Sequence, residues 1–214
     1  MFDFLYIEED VVHHPRTAAV CEHFPQAKRI VIDRYGSVFN RRGQDFRLQK
    51  KRPALILARK YGQLVLEAPR DHGIGSSSNY YFSHMLNCLY DCRYCFLQGM
   101  YSSANMLMFV NYEEFQTDID GVIAAETLVQ ETSAIPETFA STSGGPRDVR
   151  PHFFTGYNCD SLAMESVTGF ARDFLEFFAQ RHQALFELRT KSVAINPLLT
   201  RDPMDNCVVA FSLT

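Results

Sequence analysis

The chain has 214 residues, 46% of them hydrophobic, and a formal net charge of -4. That is enough apolar material for a sizeable core in one domain, or one domain with a small appendage, and the charge balance excludes a globally basic nucleic-acid-binding protein. The opening MFDFLYIEED lacks the regions of a signal peptide and no apolar run approaches the roughly 18 residues that span a bilayer, so a cytoplasmic, reducing setting without membrane contact is expected.

In chain order, residues 28–35 (KRIVIDRY) alternate apolar and polar and predict a strand. Residues 41–60 hold Arg41, Arg42, Arg47, Lys50, Lys51, Arg52, Arg59 and Lys60 against Asp45 alone; this reads either as a solvated loop face or as a surface for a polyanion such as DNA. Residues 53–59 (PALILAR) and 63–67 (QLVLE) predict a pair of strands around Gly62, residues 73–79 a flexible connector, and residues 80–87 one short strand running into Cys88. Asn111 is placed to cap a helix whose apolar face is Phe115, Ile119, Val122 and Ile123.

Residues 130–150 read as a loop and 151–157 as a strand. Val167, Phe170, Ala171, Phe174 and Phe178 mark one face of a second helix, and two strands follow at 186–191 and 207–213. Strands alternating with helices from residue 80 onward predict a parallel sheet with right-handed crossovers, with chemistry gathered beyond the carboxyl ends of the strands. The chain stops just after a strand, which would leave a sheet edge uncovered and suggests a shortened protein. Division at residue 75 into an N-terminal region (1–75) and a core (76–214) follows from this pattern.

Residues 86–97 read LNCLYDCRYCFL, placing Cys88, Cys92 and Cys95 within eight residues. In a reducing compartment, clustered cysteines are metal ligands or catalysts more often than disulfides. Structural zinc requires four closed ligands, and His84 is the available fourth. A [4Fe–4S] cluster takes one thiolate per iron, so three thiolates leave one iron open to a small molecule. CxxxCxxC is the spacing of the radical S-adenosylmethionine (SAM) superfamily.

More than the motif matches. The chain resembles the spore photoproduct lyase family of radical SAM proteins in YIEEDVVHHPRT (6–17), AKRIVIDRYGSVFN (27–40), NCLYDCRYCFLQGMY (87–101), FVNYEEF (109–115), NCDSLAMESVTGF (158–170), ELRTKS (187–192) and VAFSL (209–213). The resemblance implies an α/β fold: a partial (β/α)6 radical SAM barrel, incomplete on its C-terminal side, with a small N-terminal α/β extension. It implies a [4Fe–4S] cluster held by Cys88, Cys92 and Cys95, and SAM contacted by Tyr94, Ser161, Lys191 and Ser212. Cys159 falls where the family's hydrogen-donating cysteine sits.

The implied activity is reductive cleavage of SAM to a 5′-deoxyadenosyl radical that attacks a damaged pyrimidine in DNA, a C–C bond lyase reaction. The implied partners are DNA, met through segment 41–60, and an electron donor such as flavodoxin or ferredoxin. Two departures bear on the substrate: Phe96 stands where the lyase proper has a tyrosine, and Asp160 follows Cys159 in place of a small hydroxyl residue. A different nucleic-acid or peptide substrate, or a metal-binding module without catalysis, is the alternative. Cys21 and Cys207 match no functional position.

Overall fold

The computed structural model describes residues 2–69, 72–90, 92–132 and 148–213; Asp91, Thr214 and most of the loop read at 130–150 lie outside them. The strands are β1 (Phe4–Glu8), β2 (Lys28–Ile32), β3 (Leu55–Ala58), β4 (Leu66–Glu67), β5 (Asn79–Tyr81), β6 (Met85–Leu86), β7 (Met106–Phe109), β8 (His152–Phe154), β9 (Leu185–Thr190) and β10 (Cys207–Phe211). The helices are α1 (Pro15–Glu22), α2 (Phe46–Lys51), α3 (Leu97–Met100), α4 (Tyr112–Thr132), α5 (Glu165–Thr168), α6 (Phe170–Ala179) and α7 (Asn196–Leu199). No helix among the described residues is long and apolar enough to cross a membrane.

Two five-stranded sheets result, ordered β2-β1-β3-β7-β6 and β10-β9-β8-β5-β4. In each, four strands run parallel and one short antiparallel strand, β6 or β4, closes an edge. The parallel α/β architecture expected from the alternating pattern is present. Two strands from beyond residue 76, β6 and β7, are hydrogen-bonded into the first sheet.

Three local readings are corrected. Segments 53–59 and 63–67 do not pair: β3 lies between β1 and β7, buried on both faces, while β4 pairs with β5 in the other sheet. An all-apolar run such as Leu55–Ala58 suits a central parallel strand rather than a two-stranded ribbon. The run at 80–87 divides into β5 and β6, and its middle joins the sheets: Phe82 N–H donates to the Phe154 carbonyl (3.2 Å) and the His84 carbonyl accepts from Phe109 N–H (2.8 Å). The Asn111 side chain does not cap α4. Its amide exchanges two 3.0 Å bonds with the Lys60 backbone, fastening β7 to the strand beside it.

The second helix is also broken, at Gly169. Its φ of +58° is costly for residues with a Cβ, and a Cβ there would meet the Arg172 guanidinium at 2.6 Å. The buried Glu165 carboxylate then accepts from Ala171 N–H (2.7 Å) and Arg172 N–H (3.2 Å), satisfying donors at the start of α6 that have no partner within the helix.

The abundant phenylalanine goes into the core. Phe82 is surrounded by Phe115, Phe170, Phe174 and Phe186, and Phe178 stacks on Phe186 with centroids 4.3 Å apart. This packing seats α4 and α6 against the second sheet and fixes the carboxyl edge of β8, β9 and β10. The segments holding Cys159, Lys191 and Ser212 leave from that edge.

Candidate functional site

The cysteine loop begins where β6 ends, and Asn87 sets its course. Asn87 adopts a φ of +72°, which asparagine tolerates better than most residues. Its side chain donates to the carbonyls of Ser103 (2.8 Å) and Asn105 (3.0 Å), and it accepts from Cys88 N–H (2.9 Å). The loop is thus stapled across its neck. Within it Cys95 N–H donates to the Cys92 carbonyl (3.0 Å), and Tyr90 N–H points at the Cys88 sulfur (3.5 Å).

Cys88, Cys92 and Cys95 are free thiols, each partly exposed. Burial, foremost, pushes the Cys88 thiol up to about 11. Among the described residues no three His, Cys, Asp or Glu side chains converge as ligands of a single ion. His84, the candidate fourth ligand in the zinc alternative, turns elsewhere: it is fully buried, stacked on Phe170 at 3.7 Å, with Nδ1 4.0 Å from the Cys159 sulfur.

Tyr94, Lys191 and Ser212 come together. Lys191 Nζ lies 5.0 Å from the centre of the Tyr94 ring and donates to the Ser212 carbonyl (3.2 Å). The Tyr94 hydroxyl, foremost, raises the Lys191 ammonium above its ordinary value, and Cys92 and Cys95 are near enough to add to the effect. Tyr94 is 63% exposed, so its face is open to a ligand. Ser161 sits beside this group rather than in it: it is buried, with its hydroxyl 2.7 Å from that of Thr155.

Asp160 ties the two halves together. Its carboxylate accepts from Leu162 N–H (2.9 Å), the Thr190 hydroxyl (2.7 Å) and Lys191 N–H (2.6 Å). The residue after Cys159 thereby fixes the backbone of Lys191. Gly156 makes room for this arrangement: its φ is +85°, and a Cβ would strike the Arg189 carbonyl at 2.5 Å and the Ser161 hydroxyl at 3.0 Å. The structural parts of Asp160, Thr190, Thr155 and Gly156 have no spacing signature, and sequence reasoning does not find them.

Phe96 is 56% exposed and begins an aromatic run, with Phe96–Tyr157 centroids 5.6 Å apart and Tyr157–Tyr81 centroids 4.9 Å apart. A cavity of about 960 Å³ lies elsewhere, between α1, α5, α7 and the first turns of α4 and α6; neither the three loop cysteines nor Cys159 nor Lys191 lines it. A smaller one, about 230 Å³, is lined by Cys88, Leu89 and Tyr90 together with Phe46 and Lys50 of α2.

The basic segment is partly spent on internal contacts. Arg52 pairs with Asp3, Arg59 with Glu114, and Lys60 donates to the Leu64 carbonyl. Arg41, Arg42, Arg47 and Lys51 are exposed with no acidic partner among the described residues. Asp45, the one acid in the segment, caps α2 by accepting from Leu48 N–H (3.0 Å).

These features define a parallel α/β protein with a cysteine-bearing loop folded over the carboxyl edge of a sheet. The same fold is found in solved structures of spore photoproduct lyase. One, a doubly substituted variant with bound AdoMet and dinucleoside spore photoproduct, matches with a TM-score of 0.74 at 16% identity, over 100% of this chain and 56% of that one. The enzyme complexed with dinucleoside spore photoproduct gives the same figures, TM-score 0.74, 16% identity, 100% and 56% coverage. A single-substitution variant gives a TM-score of 0.73 at 17% identity, again over 100% and 56%. The chain therefore spans little more than half the length of the solved chains it matches. No protein-family model and no curated protein matches it.

Proposed function

We propose that the chain is a radical SAM protein of the spore photoproduct lyase type, binding a [4Fe–4S] cluster through Cys88, Cys92 and Cys95 and SAM beside it. The observation that carries this reading is the meeting of Lys191 and Ser212 with Tyr94, a residue of the thiol loop itself, with Cys92 and Cys95 near Lys191. Three thiols on one stapled loop suit a multi-iron cluster that takes one thiolate per iron and leaves one iron open, whereas structural zinc requires four closed ligands. When bound, such a cluster supplies the electron that cleaves SAM to methionine and a 5′-deoxyadenosyl radical.

In this reading the second sheet supplies the first strands of a partial barrel. The residues then have distinct tasks. The Lys191 ammonium neutralises the methionyl carboxylate, and the Tyr94 face packs against the ligand. Asp160 holds Lys191 in place through the backbone. Ser161 lines the floor through Thr155. Cys159, buried and protonated, holds a weakly bonded hydrogen for a carbon radical formed on the substrate.

The substrate class proposed is a damaged pyrimidine in nucleic acid, supported by the shared fold and by the dinucleoside lesion bound in the matched structures. Incubation of the anaerobically reconstituted chain with SAM, dithionite and a dinucleoside spore photoproduct tests it. Release of thymidine, two molecules per lesion, seen by chromatography, is the expected result. SAM cleavage with no thymidine released would assign the chemistry to another substrate.

A further inference from the structure

The second sheet presents two faces. On one, the Tyr80 and Phe153 rings stack at 5.4 Å, Phe153 meets Phe178 of α6 at 5.8 Å, and the Tyr80 hydroxyl donates to Glu126 of α4 (2.5 Å). Alternation along a strand turns Tyr81 and Phe154 to the other face, where their rings stack at 5.9 Å across β5 and β8. The Arg189 guanidinium, from β9, covers the Phe154 ring at 3.9 Å. Tyr157, on the loop after β8, closes on Tyr81 at 4.9 Å and on Phe96 at 5.6 Å. A ladder of rings therefore leads from the sheet to the thiol loop. It opens as it goes: Phe154 is buried, Tyr157 is 37% exposed and Phe96 more so.

Sheet order separates this ladder from the Lys191 group. Lys191 and Ser212 follow β9 and β10, whereas Tyr157 follows β8 and Tyr81 lies on β5, the next strand along. The ladder starts beside the residues assigned to SAM and leads away from them. Exposed apolar surface of this kind marks a ligand site. Glu187 is held by His152 and Arg189, and Asp160 by Leu162, Thr190 and Lys191, so neither carboxylate is offered to a ligand. Rings flanked by the cations Arg189 and Lys191 suit an unpaired stretch of nucleic acid, because every base has a π-face to stack. A peptide offers only an occasional ring.

We infer that Phe96 and Tyr157 form a base-stacking subsite that holds the nucleobase next to the one attacked. This rests on the nucleic-acid reading of the substrate. A phenyl face stacks without a hydroxyl, so Phe96 serves here although it has no O–H to give. The subsite favours two joined bases over a single nucleoside. Stacking is tolerant of base identity, so Tyr157 positions the neighbouring base without selecting it.

The test uses the full chain, reconstituted anaerobically with iron and sulfide and kept without reductant so that no turnover occurs. Wild type, Tyr157→Ala, Tyr157→Phe and Phe96→Ala are each checked by circular dichroism. Dinucleoside spore photoproduct, thymidine and SAM are titrated separately by calorimetry. Tyr157→Ala should lower affinity for the dinucleoside about tenfold or more, the loss expected for one stacked base. Phe96→Ala should weaken it in the same direction, Tyr157→Phe should restore the wild-type value, and the preference for dinucleoside over thymidine should narrow in Tyr157→Ala. Wild-type dinucleoside affinity in Tyr157→Ala overturns the inference. Equal losses in Tyr157→Ala and Tyr157→Phe also overturn it, since the hydroxyl and not the ring face would then be what binds. An equal loss of SAM affinity overturns it by assigning the rings to the cofactor. A wild-type chain that forms 5′-deoxyadenosine once dithionite is added but binds no dinucleoside contradicts the substrate reading itself, and the inference falls with it.

Discussion

His84 Nδ1 lies 4.0 Å from the Cys159 sulfur, and the imidazole is held flat on Phe170 at 3.7 Å. Burial pushes His84 down to about 3, so the ring is neutral at ordinary pH, and burial pushes the Cys159 thiol well above its usual range. The pair is an S–H beside a neutral ring, not a thiolate–imidazolium couple. A thiol kept protonated is a poor nucleophile and a ready hydrogen-atom donor. Cys159→Ala is expected to retain iron content and 5′-deoxyadenosine formation and to lose most of the repaired product. An undiminished product yield would remove the donor role.

The three loop thiols are expected to be required together. Each of Cys88→Ala, Cys92→Ala and Cys95→Ala should lose the broad absorbance near about 400 nm given by thiolate-ligated iron–sulfur centres. Iron analysis and the visible spectrum check this. Full retention of iron in the Cys88 variant would contradict its assignment as a ligand.

Asp160 joins Leu162, Thr190 and Lys191 through three bonds to one buried carboxylate. Asp160→Ala leaves those donors without partners, and each buried unsatisfied group costs about 1–3 kcal/mol. A lower Tm and weaker SAM binding by calorimetry are both expected. Weaker SAM binding at unchanged Tm would mean that Asp160 acts on the ligand and not through the fold.

Glu187 gives stability a defined acid limit. Its burial favours the neutral form, but His152 at 2.8 Å and Arg189 at 2.7 Å outweigh that and hold the carboxyl at about 2. Because the folded value is below the unfolded one, near 4.5, the charged form stabilises the fold above that unfolded value. The contribution, on the order of 3 kcal/mol from the size of the shift, is lost as pH falls from 4.5 toward 2. Urea unfolding between pH 6 and 3 should show this slope, and Glu187→Gln should flatten it. An identical pH profile in the variant would place the acid sensitivity elsewhere.

The thiol loop was legible because chemistry demands a fixed spacing there, and the parallel α/β class followed from strands alternating with helices. Other features depend on partners distant in sequence. The PALILAR run is a central strand because β1 and β7 flank it, and nothing near residue 55 announces β7. Strand β1 itself was not anticipated, since FLYIE carries Glu8, whose carboxylate is buried beneath Tyr35 and Arg59 backbone amides. Asn111 looked like a cap because it precedes a helix; its bonds to Lys60 exist only once β3 and β7 are paired. The eight-cation segment overstated its free charge for the same reason, since Asp3 and Glu114 arrive from elsewhere in the fold.

The most direct measurement is anaerobic reconstitution with iron and sulfide, followed by dithionite and SAM, with 5′-deoxyadenosine assayed by chromatography in wild type and Cys88→Ala. Formation of 5′-deoxyadenosine by the wild type and its absence in the variant is the predicted result. Preferential uptake of zinc, or an iron-loaded chain that leaves SAM intact, would contradict the assignment of the three thiols to a radical SAM site.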